Sequence, residues 1–193
     1  SQFIPTSMAD ERNDVPNVPY AYGLAGWTEN DAFVLLYDRY DIWKVNVKQP
    51  KEVVRLTQGR EQLTRYRYLD LDPENAVLEA NLLLRTFNET NKNEGYVMLS
   101  KQKKLIDLLS GGFKLSKPIK ARDTDALVFS KQNFKQFPDL IKTDLNFTDQ
   151  LSISEANPQQ KKLRWGTVEL HQWTSLEGMP LQGLLYKPEG FDS

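Results

Sequence analysis

The chain has 193 residues, of which 39% are hydrophobic and 26% are charged, and its formal net charge is −1. That length suffices for one domain with a sizeable core, and the near-neutral charge argues against a general nucleic-acid-binding surface. The chain has no cysteine and one histidine, which excludes disulfides, thiolate metal sites, a cysteine nucleophile and any metal site with several histidines. We therefore expect neither a metal nor another cofactor.

The N-terminal residues do not resemble a targeting segment. Residues 1–5 carry neither a basic leader nor an apolar stretch, and no apolar run approaches the ~20 residues that span a bilayer. The chain does not begin like a native protein, so a signal peptide could lie upstream. The compartment stays open between the cytoplasm and a periplasmic or secreted location, because secreted proteins can also lack cysteine.

The first group of strand-like segments occupies residues 20–59. An apolar and aromatic run at Ala32–Asp38 is followed by Asp41–Val47, where apolar and polar residues alternate, and then by residues 52–57. Short polar turns separate these segments, as expected between antiparallel strands. The pattern predicts a meander of three or four strands.

Two further groups follow at residues 64–110 and 117–153. The second group contains strand-like segments at residues 66–71, 80–87, 95–99 and 104–109, and the third at residues 117–121, 126–130, 139–144 and 150–153. The segment Lys101–Leu109 is the best helix candidate, but it is short and its apolar residues cluster instead of recurring at helical spacing. We predict a turn followed by a strand there.

Strand groups that recur every 40 to 50 residues are typical of propeller blades. The sequence therefore predicts an all-β fold in which residues 1–156 form a partial β-propeller of about three four-stranded antiparallel blades. Each four-stranded meander has two faces to cover, and stacking blades around an axis covers both. A sandwich of twelve strands is the alternative fold.

The C-terminal region, residues 157–193, has a different pattern. Residues 157–162 are polar and predict a linker. Gly166–Thr174 alternates strictly, a turn follows at residues 175–180, and Leu181–Pro188 returns. This pattern predicts a C-terminal β-hairpin with a longer loop.

Residues 165–191 resemble the segment that joins propeller to catalytic domain in the prolyl oligopeptidase family of serine peptidases, with dipeptidyl peptidase IV-like and acylaminoacyl-peptidase-like members. That family has S-x-D-G followed by G-x-L-Y-x-P-x-x-F, and the second motif is present from Gly183 to Phe191. Glu177 stands where the family usually has Asp. Tyr40–Val45 is also similar to the family's recurring propeller strand D-[I/L]-[W/F]-x-[V/L].

The resemblance implies a propeller that caps an α/β-hydrolase domain and restricts access to oligopeptides. The family's nucleophile lies in G-x-S-x-G, which is missing from these 193 residues. We therefore expect residues 157–193 to lead to a catalytic domain outside this chain, and we expect no catalytic residue within it. The implied partners are an oligopeptide substrate and the hydrolase domain, with no nucleic acid and no membrane span.

Few side chains qualify as site residues. Arg39 and Arg122 are weak substrate-binding candidates, because a guanidinium can bind a peptide carboxylate or carbonyl. The Glu–Glu pair by which dipeptidyl-peptidase-like members bind the substrate's amino terminus is missing from the sequence. His171 lies within an alternating strand and is interpreted as structural, as are the tryptophans, which are more often core than ligand. Asp70, Asp72 and Glu74 are interpreted as a strand-to-turn transition instead of a calcium loop.

Two other functions remain open. The chain could be a stand-alone propeller or sandwich module that binds a protein or glycan, or a small acid–base enzyme such as a glycosidase that uses Asp70 or Asp72. Three blades cannot close a ring, so strand edges and apolar faces stay uncovered. We therefore expect the chain to associate with itself.

Overall fold

The computed structural model describes residues 2–75, 77–78 and 81–191, and the regular secondary structure among them is mainly β-strand. Three short 3-10 helices accompany the strands, at Glu29–Asp31, Arg60–Gln62 and Pro158–Lys162. None of the helices among the described residues is long and apolar enough to cross a bilayer. The strands are β1 Leu24–Trp27, β2 Phe33–Tyr37, β3 Ile42–Asn46, β4 Val53–Arg55, β5 Thr64–Tyr68, β6 Leu82–Asn88, β7 Glu94–Leu99, β8 Leu105–Gly111, β9 Lys114–Leu115, β10 Ile119–Lys120, β11 Leu127–Asn133, β12 Gln136–Thr143, β13 Leu151–Ser152, β14 Thr167–Thr174 and β15 Pro180–Lys187.

The first sheet is an antiparallel meander in the order β1-β2-β3-β4. The alternation in β3 has the predicted consequence, since successive side chains of a strand point to opposite faces. Ile42 faces the core shared with the second sheet, together with Leu35 and Tyr37. Trp43 points to the other face and pairs across the sheet with Leu36.

The second sheet, β5-β6-β7-β8, lies between the other two. The apolar run in β6 serves both of its faces, because Leu82 and Leu84 pack toward the first sheet and Leu83 packs toward the third. A continuous apolar run is the pattern expected of a strand that is covered on both sides. The predicted turn and strand at residues 101–109 are confirmed by the turn at 101–103 and by β8. Ala80, which we expected in this sheet, lies outside the described residues.

The third sheet has five strands instead of four. β10-β11-β12-β13 form the meander, and β9 pairs with the far end of β11. The sequence predicted one strand at residues 117–121, but two short ones flank Pro118, whose ring nitrogen has no hydrogen to donate to a ladder. β11 and β12 also run longer than predicted and meet at a tight turn around Phe134.

Two separate apolar cores lie on the two sides of the second sheet. One joins it to the first sheet, and the other, which contains Tyr96, Leu127 and Phe129, joins it to the third. A sandwich would instead have one core between two sheets. The fold is thus all-β, with successive antiparallel sheets arranged as a partial β-propeller and followed by a final hairpin, as predicted.

The hairpin β14-β15 forms a two-stranded sheet of its own. Its eight pairs run without a break from Thr167↔Lys187 to Thr174↔Pro180. The polar segment before it, expected as a linker, contains a 3-10 helix that begins at Pro158, where proline's fixed φ suits the first helical position. The division at residue 156 into propeller and hairpin remains a proposal.

Candidate functional site

Three strand-to-strand turns meet at one end of the molecule, which we call the turn end. They are the β2–β3 turn at residues 38–41, the β6–β7 turn at residues 89–93 and the β11–β12 turn at residues 134–135. Glu89 of the second turn bonds to Arg39 and Tyr40 of the first. The hairpin contacts the second turn through Gln182 and the third through Tyr186, so it lies at the same end.

The β2–β3 turn is organised by the carboxylate of Asp38, which is fully buried. It accepts hydrogen bonds from the amides of Tyr40 at 2.7 Å and Asp41 at 2.6 Å, the arrangement of an Asx turn. The Thr6 hydroxyl at 2.7 Å and the Trp43 indole at 3.1 Å also donate to it. Burial by itself would raise the pKa of Asp38, but these hydrogen bonds outweigh it and hold the pKa below its ordinary value.

Asp41 is also fully buried and ties β3 to the loop before β5. It accepts hydrogen bonds from the Thr57 hydroxyl at 2.7 Å, the Gly59 amide at 2.6 Å and the Arg55 guanidinium at 2.7 Å. Gly59 is needed here because a Cβ at this position would lie 2.0 Å from the carbonyl oxygen of Thr64. The buried charge of Asp41 is therefore paired and hydrogen-bonded, as burial of a charge requires.

Glu89 is the centre of a second cluster at the turn end. Its carboxylate accepts hydrogen bonds from Arg39 at 2.6 Å, Arg12 at 2.9 Å and the Tyr40 hydroxyl at 3.0 Å. Arg65 Nε lies 3.5 Å from its other oxygen. Burial opposes ionisation of Glu89, but Arg39 and Tyr40 donate hydrogen bonds that keep its pKa below the ordinary value. The pKa of Tyr40 is raised, first by burial and then by the hydrogen bond to Glu89.

The hairpin is held at the turn end by aromatic contacts. The Phe134 ring lies 6.0 Å from Trp165 and 5.5 Å from Tyr186, measured between centroids. The Trp165 indole donates a 2.7 Å hydrogen bond to the Phe134 carbonyl. Gln182 Nε2 donates to the Thr90 carbonyl at 3.1 Å.

Much of the hairpin surface is apolar and exposed. The large hydrophobic side chains exposed between residues 165 and 191 are Trp165, Trp173, Leu176, Met179, Leu184, Leu185, Tyr186 and Phe191. The sequence interpretation of the tryptophans as core residues is correct for Trp43 and wrong for Trp27, Trp165 and Trp173, which are each at least 40% exposed. Trp173 lies on the face of the hairpin opposite Gln182 and Tyr186, the two side chains through which the hairpin contacts the turn end.

The two predicted substrate-binding arginines lie apart. Arg39 is in the turn-end cluster, where its buried guanidinium is bonded to Glu89. Arg122 lies in the loop between β10 and β11 and forms an ion pair with Glu74, and both side chains are largely exposed. The structure brings Arg39 together with Arg12 and Arg65 instead. Sequence reasoning missed this grouping, because these residues come from separate segments and only the stacking of the sheets makes them neighbours.

The remaining candidates have local structural roles. His171 pairs across the hairpin with Gly183, and its ring stacks on Trp173 at 6.3 Å. The Asp72 amide donates to the Asp70 carboxylate, which forms the expected turn. Within the described residues no group of three or more His, Asp or Glu side chains is arranged to hold a metal ion.

The fold is similar to part of two solved peptidases. It matches a ligand-bound variant of the AtxE2 isopeptidase at 14% identity and a TM-score of 0.57, over 83% of this chain and 25% of that protein. It matches a structure from a study of two prolyl endopeptidases at 12% identity and a TM-score of 0.55, over 83% and 23%. No family model and no curated protein sequence matches the chain. The predicted resemblance to the prolyl oligopeptidase family is thus confirmed for the fold, and the chain spans about a quarter of the matched peptidases.

Proposed function

We propose that this chain is the propeller part of a serine peptidase of the prolyl oligopeptidase family. Residues 1–156 would limit access of oligopeptides to an α/β-hydrolase domain and support it, and residues 157–193 would lead to that domain. The observation that carries the proposal is the succession of three stacked antiparallel sheets and a separate hairpin, in a fold shared with parts of two peptidases. A narrow propeller channel admits an extended peptide and excludes a folded protein.

The exposed hairpin supports this proposal. Leu184 and Tyr186 are each more than half exposed on one face, and Trp173 is 47% exposed on the other. Apolar side chains grouped in this way are typical of a surface that another domain or chain covers. The chain itself would bind and position the substrate, while a serine, a histidine and an acidic residue of the hydrolase domain would break the bond.

The test has two parts. The gene should continue past Ser193 into a G-x-S-x-G motif, and a gene that stopped at Ser193 would overturn the proposal. The intact protein should then hydrolyse short peptides much faster than the same sequence placed within a folded protein. The 193-residue chain should not hydrolyse chromogenic Gly-Pro or acyl-Ala substrates. Turnover by the purified chain would contradict the assignment of catalysis to the hydrolase domain.

A second candidate is a stand-alone module that binds a protein or glycan. It is favoured by an open cleft of about 860 Å³ between the edge of the third sheet and residues 153–165. Phe137 and Trp165 line this cleft and are each at least 40% exposed, and aromatic faces are common in ligand sites. A glycan array with the chain and its Trp165→Ala variant tests this candidate. Two results together would favour this candidate over the peptidase: glycan binding that is lost in Trp165→Ala, and a gene that ends at Ser193.

A further inference from the structure

Cationic groups are concentrated around one carboxylate at the turn end. Arg12 and Arg39 each donate to one oxygen of Glu89, and Arg65 approaches the other. The Lys92 ammonium donates to the backbone carbonyl of Glu89. Three guanidiniums and one ammonium therefore converge on a turn that contributes a single carboxylate.

The neighbouring acidic residues do not balance this charge. Glu11 and Asp38 share the guanidinium of Arg60, so these three side chains together carry one negative charge. The Asp10 carboxylate accepts a hydrogen bond from the backbone amide of Arg12. It adds one negative charge to that of Glu89. With Arg60 included, five cations thus face four carboxylates, which leaves a local surplus of one positive charge in a chain whose formal net charge is −1. Such a surplus attracts anions and raises their local concentration.

The cluster has a buried part and an exposed part. The Arg39 and Glu89 side chains are 14% and 12% exposed, whereas Arg12 and Arg65 are 67% and 44% exposed. Each exposed arginine meets Glu89 through one nitrogen, and its other N–H groups have no acceptor among the residues that the structure describes. The Arg65 guanidinium is also held 4.7 Å from the centre of the Phe87 ring. The buried pair therefore positions two exposed guanidiniums that still have free donors.

We infer that Arg12 and Arg65 bind the free C-terminal carboxylate of a peptide. Guanidiniums bind carboxylates through paired, charge-assisted hydrogen bonds, and the surplus positive charge favours a ligand that brings one negative charge. The site lies at the end of the sheets that the hairpin also contacts through Thr90. This inference rests on the proposed function and deepens it, because it assigns the part of the oligopeptide substrate that the propeller binds.

The experiment titrates the 193-residue chain by calorimetry with one short peptide in two forms, a free C-terminal acid and a C-terminal amide. The acid should bind about tenfold more tightly than the amide, the size expected when one charge-assisted contact is lost. The double variant Arg12→Gln, Arg65→Gln should lose this preference. The matched control is Lys104→Gln, Arg164→Gln, which removes two exposed cationic side chains elsewhere in the chain and should keep the preference.

Each outcome decides the inference. Equal binding of acid and amide by the unchanged chain overturns it, and this arm needs no variant to fold. Loss of the preference in the control pair overturns it as well, since that would show a general charge effect. Inorganic phosphate that binds as tightly as the peptide acid would overturn the peptide carboxylate in favour of a phosphate site. Failure here, while the intact protein still cleaves peptides, would leave the proposed function standing.

Discussion

The β2–β3 turn and the β14–β15 hairpin lie at the same end of the molecule and are built in opposite ways. The turn buries two carboxylates, Asp38 and Asp41, and the chain supplies a donor for each of their oxygens. The hairpin exposes aromatic and aliphatic side chains and touches the sheets through Gln182 and the ring of Phe134.

The two regions differ in whether their partners lie within this chain. Buried charges are stable only where their partners are fixed, and Asp38 and Asp41 have these partners within this chain. Exposed apolar side chains stabilise an association only when another surface covers them, because removing apolar surface from water lowers the free energy. Substitutions in the turn should therefore change the stability of the chain, and substitutions in the hairpin should mainly change what the chain associates with.

The largest effect is expected from Asp41→Ala. Removing the carboxylate leaves the Thr57 hydroxyl and the Gly59 amide without their acceptor, while Arg55 keeps its second carboxylate partner, Glu61. Each buried donor left unsatisfied costs about 1 to 3 kcal/mol. Urea unfolding followed by tryptophan fluorescence measures the change. Asp107→Ala, on the exposed side of β8, is the matched control and should change stability by less than about 0.5 kcal/mol. Equal effects of the two variants would contradict the contrast.

The second effect is a loss of stability in acid. Because the pKa of Asp38 is lower in the folded chain than in the unfolded one, its contribution is fully present above the ordinary pKa of about 4. That contribution disappears as the pH falls below about 4 and Asp38 becomes protonated. Unfolding should be measured for the unchanged chain and for Asp38→Asn between pH 7 and pH 3. The gap between them should be largest at neutral pH and should narrow in acid; a constant gap would rule out this role for the Asp38 charge.

A smaller effect is expected from Phe134→Ala. This change removes ring contacts with Trp165 and Tyr186, each worth about 1 kcal/mol. It weakens the attachment of the hairpin to the third sheet, although the hydrogen bond from Trp165 to the backbone carbonyl of residue 134 remains. Hydrogen exchange should become faster in β14 and β15 and stay unchanged in β6 and β7. Phe137→Ala, in an exposed side chain of the neighbouring strand, is the control. Faster exchange throughout the chain would show that the hairpin and sheets unfold together.

The smallest effect on stability is expected from Leu140→Lys. Leu140 lies on the outer face of the third sheet with Ile119 and Leu151, opposite the core residues Phe129 and Ile141. All three are at least 45% exposed, and we propose that this face pairs with a second copy of the chain. Light scattering at high protein concentration should give a mass above 22.3 kDa for the unchanged chain, and the variant should return to it. A monomeric mass for the unchanged chain would contradict the proposal.

Local patterns predicted the strands well wherever one property repeated along the chain. Alternation in β3 and in the hairpin gave both their extent and their faces, because side chains of a strand alternate with a period of two. The third sheet was predicted less well, since the break at Pro118 and the pairing of β9 depend on which strand lies alongside. The site was predicted least well. Arg39 was singled out, but its partner Glu89 lies 50 residues further along the chain. Arg12, which bonds to the same carboxylate, lies 77 residues before Glu89.

The sequence by itself determined the β-structure, the rhythm of the strand groups and the final hairpin, because these follow from the order of apolar, polar and turn-forming residues along a short stretch. Only the tertiary structure decided which charges are buried, which arginines keep free donors and which tryptophans are exposed. Those properties depend on the stacking of one sheet against the next, which brings together residues from distant segments and leaves the outer faces uncovered.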